Sequence, residues 1–470
     1  MIGVVARKEL RATLREGRVL AGACVLLVLG AIAFTSGAVR YAALSRERAA
    51  AQALVQEQWN AQGEKNPHSA AHYGLYAFRP ALPLSFFDPG VVPFEGVSIW
   101  LEAHKRNFAT GRPADDMTDL ARFGELSIAF VLQALVPLAL ILIGYPAFSQ
   151  EREAGTLRQV LSSGISPLQL FAGKFLGLSA AFSMLIAPLL LLCIVALVVA
   201  TGTLWLREAA VLLAVYAIYS AMILALTLIV SARVASSRNA LLILLGFWAI
   251  TTFVLPRIAA DAGRLGSPTR AAAELLRDIE ADLATGLGGV SPASLVAKRR
   301  EALLKLYKVQ REEDLPVNFQ GIVFGIQDDL GNAVYDKHFG SLERAVDAQV
   351  DVYEAMSLLS PRMAVSLLSQ EVSGTSLANQ RHFERGAETF RRRLMERLNQ
   401  DITLNSRAGA TDYQAGPDLW RQTGGYVYAP EPLAAALARS GGVLTVLMLW
   451  AVGLAALSVF TARRLQALAA

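Results

Sequence analysis

Residues 175–206, FLGLSAAFSMLIAPLLLLCIVALVVATGTLWL, are 32 consecutive residues without Asp, Glu, Lys or Arg, bounded by Lys174 and Arg207. A helix that crosses the hydrocarbon core of a bilayer needs roughly 20 predominantly apolar residues. Helices in soluble cores rarely run that far without a charge. Working outward, five more runs stand clear of the background. They hold 21 residues between Arg18 and Arg40, 25 between Glu125 and Glu151, 24 between Glu208 and Arg233, 18 between Arg238 and Arg257, and 23 between Arg439 and Arg463. The longest runs elsewhere, 159–173 and 283–297, have 15 residues each and are broken by Gly and Pro. The pattern predicts six transmembrane helices.

Composition agrees. Of 470 residues 54% are hydrophobic and 18% charged, against about 25% charged in soluble domains. Mean hydropathy is +0.41. These values exclude a disordered chain and argue against an ordinary soluble enzyme. The first run is too long for a signal-peptide core of roughly 7–15 residues, although Ser36-Gly37-Ala38 could serve as a processing site. Glu9 and Glu16 in the segment before it also argue against cleavage.

Arginine and lysine placement sets the expected orientation through the positive-inside rule. Arg7, Lys8, Arg11, Arg15 and Arg18 precede the first run; Arg152, Arg158 and Lys174 follow the second; Arg233 and Arg238 separate the fourth and fifth; Arg463 and Arg464 follow the last. With six spans these segments share one side, so both termini are expected in the cytoplasm. The net charge of +5 then needs no nucleic-acid partner. The expected fold class is an α-helical integral membrane protein, with six transmembrane helices and two large, mainly helical extracytoplasmic insertions. Its expected divisions are an interfacial helix 1–18, spans 19–39, 126–150, 175–200, 209–232, 239–256 and 440–462, outer segments 40–125 and 257–439, a cytoplasmic segment 151–174 and a tail 463–470. Gly144, Gly177 and Gly246 are candidate small-residue faces for a partner subunit.

The first outer segment is rich in Pro and aromatics and predicts irregular loops with short elements rather than one long helix. The second is helical in pattern, at 271–283 and 294–308, with Gly286, Gly288 and Gly289 between them. Phe383, Ala387, Phe390, Leu394 and Leu398 form the apolar stripe of an amphipathic helix. Arg391, Arg392 and Arg393 beside it read as a solvated face. Cys24 and Cys193 both lie within spans, so no disulfide framework holds the outer segments.

Catalytic motifs are absent. No phosphate-binding loop of the form Gly-x4-Gly-Lys-Ser/Thr occurs, so no nucleotide site is expected in this chain. His68 and His72 stand at i, i+4, but two ligands without a third read as surface histidines, and no metal is expected. The spans carry no charge for a proton relay or intramembrane enzyme. Gln133, Thr201, Thr227, Thr251 and Thr252 are expected to bond between helices, and Pro137 and Pro188 to kink them.

One cytoplasmic stretch remains. It runs Ser149-Gln150-Glu151-Arg152-Glu153-Ala154-Gly155-Thr156-Leu157 and continues through Ser162-Ser163-Gly164-Ile165-Ser166-Pro167 to Lys174. Leu157, Val160 and Leu161 line a short helix, 162–164 break it, and Ser166-Pro167 start the next. A charged, Gly-broken amphipathic helix at a membrane surface suits docking into a soluble protein. An ordinary interfacial helix has the same pattern.

Glu151-Arg152-Glu153 with Gly155-Thr156-Leu157, and Lys174 after Ser166-Pro167, resembles the coupling-helix segment of ABC-2 type transporter permeases. The outer motifs His72–Pro80, Phe87-Asp88-Pro89-Gly90, Trp100–His104 and Leu359-Ser360-Pro361, with the arginine-rich helix near Phe390, are similar to a subgroup carrying a domain of unknown function, DUF3526. The resemblance implies a permease subunit in a bacterial inner membrane, an exporter by the family's leaning, with a second permease subunit, identical or paralogous, and separate ABC ATPase subunits that hold ATP and Mg. It implies that Glu151, Arg152, Glu153, Gly155 and Thr156 contact the ATPase, and that the outer segments gate the exit or meet a periplasmic partner. The alternative is a membrane-anchored sensor or scaffold, which has no use for an ATPase contact.

Overall fold

The computed structural model describes residues 1–117, 126–410 and 412–465. The chain opens with α1 (Ile2–Arg15) and α2 (Gly17–Asn60). A first insertion follows, with α3 (Pro67–Tyr73) and an antiparallel sheet of β1 (Leu75–Phe78), β2 (Ser98–Glu102) and β3 (Lys105–Arg106) in that order. Then come α4 (Ile128–Glu153), α5 (Thr156–Ser162), α6 (Pro167–Thr201), α7 (Leu206–Arg233) and α8 (Ser237–Gly266). The second insertion holds α9 (Ala272–Thr285), α10 (Pro292–Tyr307), α11 (Phe319–Met356), α12 (Pro361–Ser373), α13 (Leu377–Asn405), α14 (Pro417–Thr423) and α15 (Leu433–Arg439). The long C-terminal helix is α16 (Gly441–Arg463).

Among the described residues six helices, α2, α4, α6, α7, α8 and α16, are long and apolar enough to cross a membrane. They make this a multi-pass α-helical membrane protein. Val25, Val28 and Ile32 on α2, and Leu191, Val195 and Val199 on α6, stay exposed, as a lipid-facing surface requires. The inward faces share one core that includes Leu132, Leu178, Leu212, Leu228 and Leu447. Both insertions leave the same end of this bundle, because the spans alternate in direction.

The two insertions build their cores together. Trp59, Ala71, Leu75 and Ala103 from the first pack with Leu394, Leu398, Leu419 and Trp420 from the second. Trp59 and Trp420 meet edge to face at 5.8 Å. The stripe expected on α13 is buried at Phe383, Ala387, Leu394 and Leu398 and half-buried at Phe390. It faces the sheet, with Ala77, Ile99 and Leu101 against Phe383 and Ala387. α12 is drawn into the bundle, with Met363, Ala364, Val365 and Leu368 buried against α7 and α16.

Several expectations change. The first insertion begins with a long helix after all: α2 continues without a break to Asn60, a rod of about 66 Å at 1.5 Å per residue. Residues 38–60 contain neither Gly nor Pro and are rich in Ala, Gln, Glu and Arg, good helix formers with nothing to stop them. Arg391 is not on a solvated face. It is buried, its guanidinium fixed by both Glu388 oxygens at 2.7 Å, the Glu102 carbonyl and Asn332.

The span threonines also differ. Thr201, Thr227 and Thr251 donate to Leu197, Ile223 and Phe247, each four residues back in its own helix, the back-bonding that a helical Thr favours. Gln133 does bond between helices, to the Tyr216 hydroxyl at 2.9 Å. A π-helical turn, Val131–Leu135, absorbs Pro137, and Ile250–Val254 does the same for Pro256. α6 stays helical through Pro188.

Candidate functional site

The stretch after α4 forms a surface corner at the end of the bundle opposite the insertions. α4 ends at Glu153, Gly155 turns the chain in the left-handed region at φ +72°, and α5 starts at Thr156. A side chain would be strained there, and Gly is not. Leu157 is buried and anchors α5, while Ala154, Gly155, Thr156, Gln159, Ser163 and Gly164 are exposed. Ser166 then caps α6 through a full capping box with Gln169, Pro167 being its first residue.

The five candidate contacts divide. Glu151 and Arg152 are half-buried and spend their charges inside the chain. Glu151 Oε1 accepts from Lys174 Nζ at 2.7 Å. Arg152 donates to the Val234 carbonyl at 2.8 Å and to the Ala232 carbonyl, tying α4 to the end of α7. Glu153 is exposed and accepts from both the amide and the hydroxyl of Ser237, at 3.0 and 2.7 Å, so it holds the start of α8. Gly155 and Thr156 form the exposed tip.

Lys174 joins this corner to α1. It is buried, and its ammonium lies 3.1 Å from Glu9 and 2.7 Å from Glu151. Burial would raise the Glu9 carboxyl, but Lys174 and then Lys8 pull it below the ordinary range. The backbones approach closely to allow this: a Cβ on Gly173 would sit 2.5 Å from the Val5 Cβ, and one on Gly177 2.5 Å from the Ala6 carbonyl oxygen. Glu9 is not among the five residues expected at the corner. Its sequence signal is that of one of two acids, with Glu16, in an interfacial segment that carries five basic residues.

The glycines expected to face a partner divide as well. Gly177 packs on α1 and Gly144 on Thr227, both within the chain, while Gly246 has open space around it.

At the other end a buried polar chain crosses from the insertions into the bundle. Gln133 donates to the Tyr216 hydroxyl at 2.9 Å, Tyr216 to the Ser369 hydroxyl at 2.8 Å, and Ser369 to Asp88 Oδ2 at 2.5 Å. Gly90 N–H donates to the other Asp88 oxygen at 3.0 Å. Burial pushes the Asp88 carboxyl up to about 6, against the pull of Ser369 and Gly90 on its charged form. The charge-free runs of the spans hold no acid, and the insertion supplies one at their edge.

The metal reading also changes. His68 and His72 are joined by His104, each offering a ring nitrogen within 4.8 Å of the others. Sequence spacing could not reveal the third, because the β2–β3 turn brings it in from 32 residues beyond His72.

No curated protein matches the chain. Residues 292–419, from α10 through Leu419 in α14 and all within the second insertion, match the family model described as a domain of unknown function (DUF3526).

Proposed function

We propose that the chain is the transmembrane permease subunit of an ATP-driven ABC transporter of the ABC-2 type, an exporter working with a separate ABC ATPase and a second permease subunit in a bacterial inner membrane. The observation that carries this is the union of the 151–162 corner with both α1 and α6 through Lys174, Glu9 and Glu151. A force applied at an exposed tip is passed to three helices at once. An isolated surface loop would have no need of a buried ion triad behind it.

In this reading the ATPase grips the tip formed by Gly155, Thr156 and the exposed face of α5. Closure of the ATPases on ATP pushes the tip. Glu151 and Glu153 carry the displacement to α6 and α8, and Arg152 carries it to α7. Coupling follows if ATP and cargo favour different conformations of the assembly. At the far end α12 and the Asp88–Ser369–Tyr216–Gln133 chain link the insertions to α4 and α7, which is where an exit gate would be moved. ATP and Mg belong to the partner subunit.

Thr156→Trp tests the reading. The residue is exposed, so the variant should fold and insert as the parent does, yet lose ATPase association and ATPase stimulation. Full association and stimulation would favour the sensor or scaffold reading.

A further inference from the structure

His68 and His72 are placed by local capping. The Asn66 side chain accepts from the amides of His68 at 2.9 Å and Ser69 at 3.4 Å, and Pro67 begins α3. The i, i+4 spacing puts both imidazoles on one face of that helix. Their Nε2 atoms are 3.2 Å apart. The β2–β3 turn, Ala103-His104, is pinned to the same helix by the Ala103 amide, which donates to the Ala71 carbonyl at 2.9 Å. His104 thereby lies with its ring 5.4 Å from that of His68 and 5.3 Å from that of His72.

Three further observations bear on what the cluster is for. First, His104 sits at φ +62°, in the left-handed region where an L residue is strained and Gly would be free. Such strain is kept where the side chain is used. Second, His104 Nδ1 approaches Asp328 Oδ1 to 2.8 Å, off the line of a good hydrogen bond. Asp328 is itself held by Asn399 at 2.7 Å. A carboxylate behind one nitrogen of an imidazole leaves the other to bind a metal and raises its basicity. Third, His68 stacks face to face on Phe324 at 3.6 Å, which fixes its ring.

The spacing suits an ion. Two nitrogens bound at roughly 2.0–2.1 Å to a tetrahedral cation lie about 3.3 Å apart. Three imidazoles without a direct carboxylate select borderline transition metals over Mg2+ or Ca2+. His72 is exposed, so a fourth position faces solvent.

We propose that His68, His72 and His104 form a three-imidazole site for one divalent transition-metal cation of the Zn2+ class, with Asp328 as the outer carboxylate and one coordination position open. The site spans both insertions. α3 and the sheet turn supply the ligands, while α11, inside the DUF3526 match, supplies Asp328 and Phe324. An ion there clamps the first insertion onto the second.

The experiment is Zn2+ titration of the full-length, tag-free chain in detergent after chelator treatment, in competition with a chromophoric chelator. One equivalent should bind, and Co2+ substitution should give the intense visible bands of a tetrahedral site. His72→Ala changes an exposed residue, so circular dichroism should match the parent while affinity falls at least 100-fold. His104→Ala should do the same. Asp328→Asn should lose on the order of 10–100-fold, and His382→Ala, at a histidine of α13 that lies beside the Tyr428 hydroxyl and outside the cluster, should lose nothing. Absence of a stoichiometric site, or a correctly folded His72→Ala variant that binds Zn2+ like the parent, would overturn the proposal.

Discussion

Lys174 Nζ lies 2.7 Å from Glu151 Oε1, joining the last turn of α4 to the first turns of α6 with the ammonium buried and the carboxylate half-buried. Glu9 of α1 completes the triad. Removing one side of a buried ion pair leaves the other uncompensated, at a cost of about 3–5 kcal/mol. The double variant Glu9→Gln, Glu151→Gln strands Lys174 and should lower the melting temperature in detergent sharply. Lys174→Met, which strands acids that still have Lys8 nearby, should cost less. Equal melting of all three proteins would show that the triad is not a structural clamp.

Close packing of α1 makes a separate expectation. Gly177→Leu forces a side chain into the Ala6 backbone, so α1 should detach and be cleaved by trypsin on the order of tenfold faster. Gly246 has open space, so Gly246→Leu should leave this protection intact. If the α8 face is the contact with a second permease subunit, the same variant should reduce the assembled mass in gentle detergent. An unchanged cleavage rate in Gly177→Leu would remove the packing argument.

The Asp88 carboxyl gives a pH signature. Its folded value is near 6 against an ordinary 3.8, so the folded state holds this proton more tightly than the unfolded chain does. Its contribution is therefore complete below about pH 3.8 and is lost as the pH rises through about 6. Asp88→Asn removes the dependence. The melting temperature of the variant relative to the parent should rise from about pH 4 to about pH 7; a difference that stays flat would mean Asp88 does not titrate in this window.

Sidedness is tested by labelling. In a chain with Cys24 and Cys193 replaced by alanine, a membrane-impermeant maleimide should reach Ser291→Cys in intact cells and miss Arg464→Cys. Labelling of the second position but not the first would reverse the orientation.

The spans were legible because charge is so costly in a bilayer that its absence over 18–32 residues is a signal in itself. The α13 stripe was legible because burial follows helical period. What stayed hidden depends on segments meeting at a distance. Arg391 looked solvated until Glu102 and Asn332 arrived from other elements. The sheet is short, and its strands pair across a loop of Pro-rich turns. Glu151 and Arg152 read as part of one charged surface triplet, and only the fold shows Lys174 of α6 and the carbonyls at the end of α7 beside them. Within the candidate site the sequence located the corner, while only the fold separates the inward-facing pair from the exposed tip.

The tip at Gly155 and Thr156 is the proposed seat of an ABC ATPase. The most direct measurement is recovery of the chain from native membranes in gentle detergent, with the nucleotide-binding subunit quantified by mass spectrometry and its ATP hydrolysis assayed, for the parent and for Thr156→Trp. An ABC ATPase should be recovered in equal amount to the parent chain, with its hydrolysis altered by the association, and both should be lost in the variant. A parent chain that carries no nucleotide-binding subunit, or a variant that retains it fully, would rule out docking at this tip.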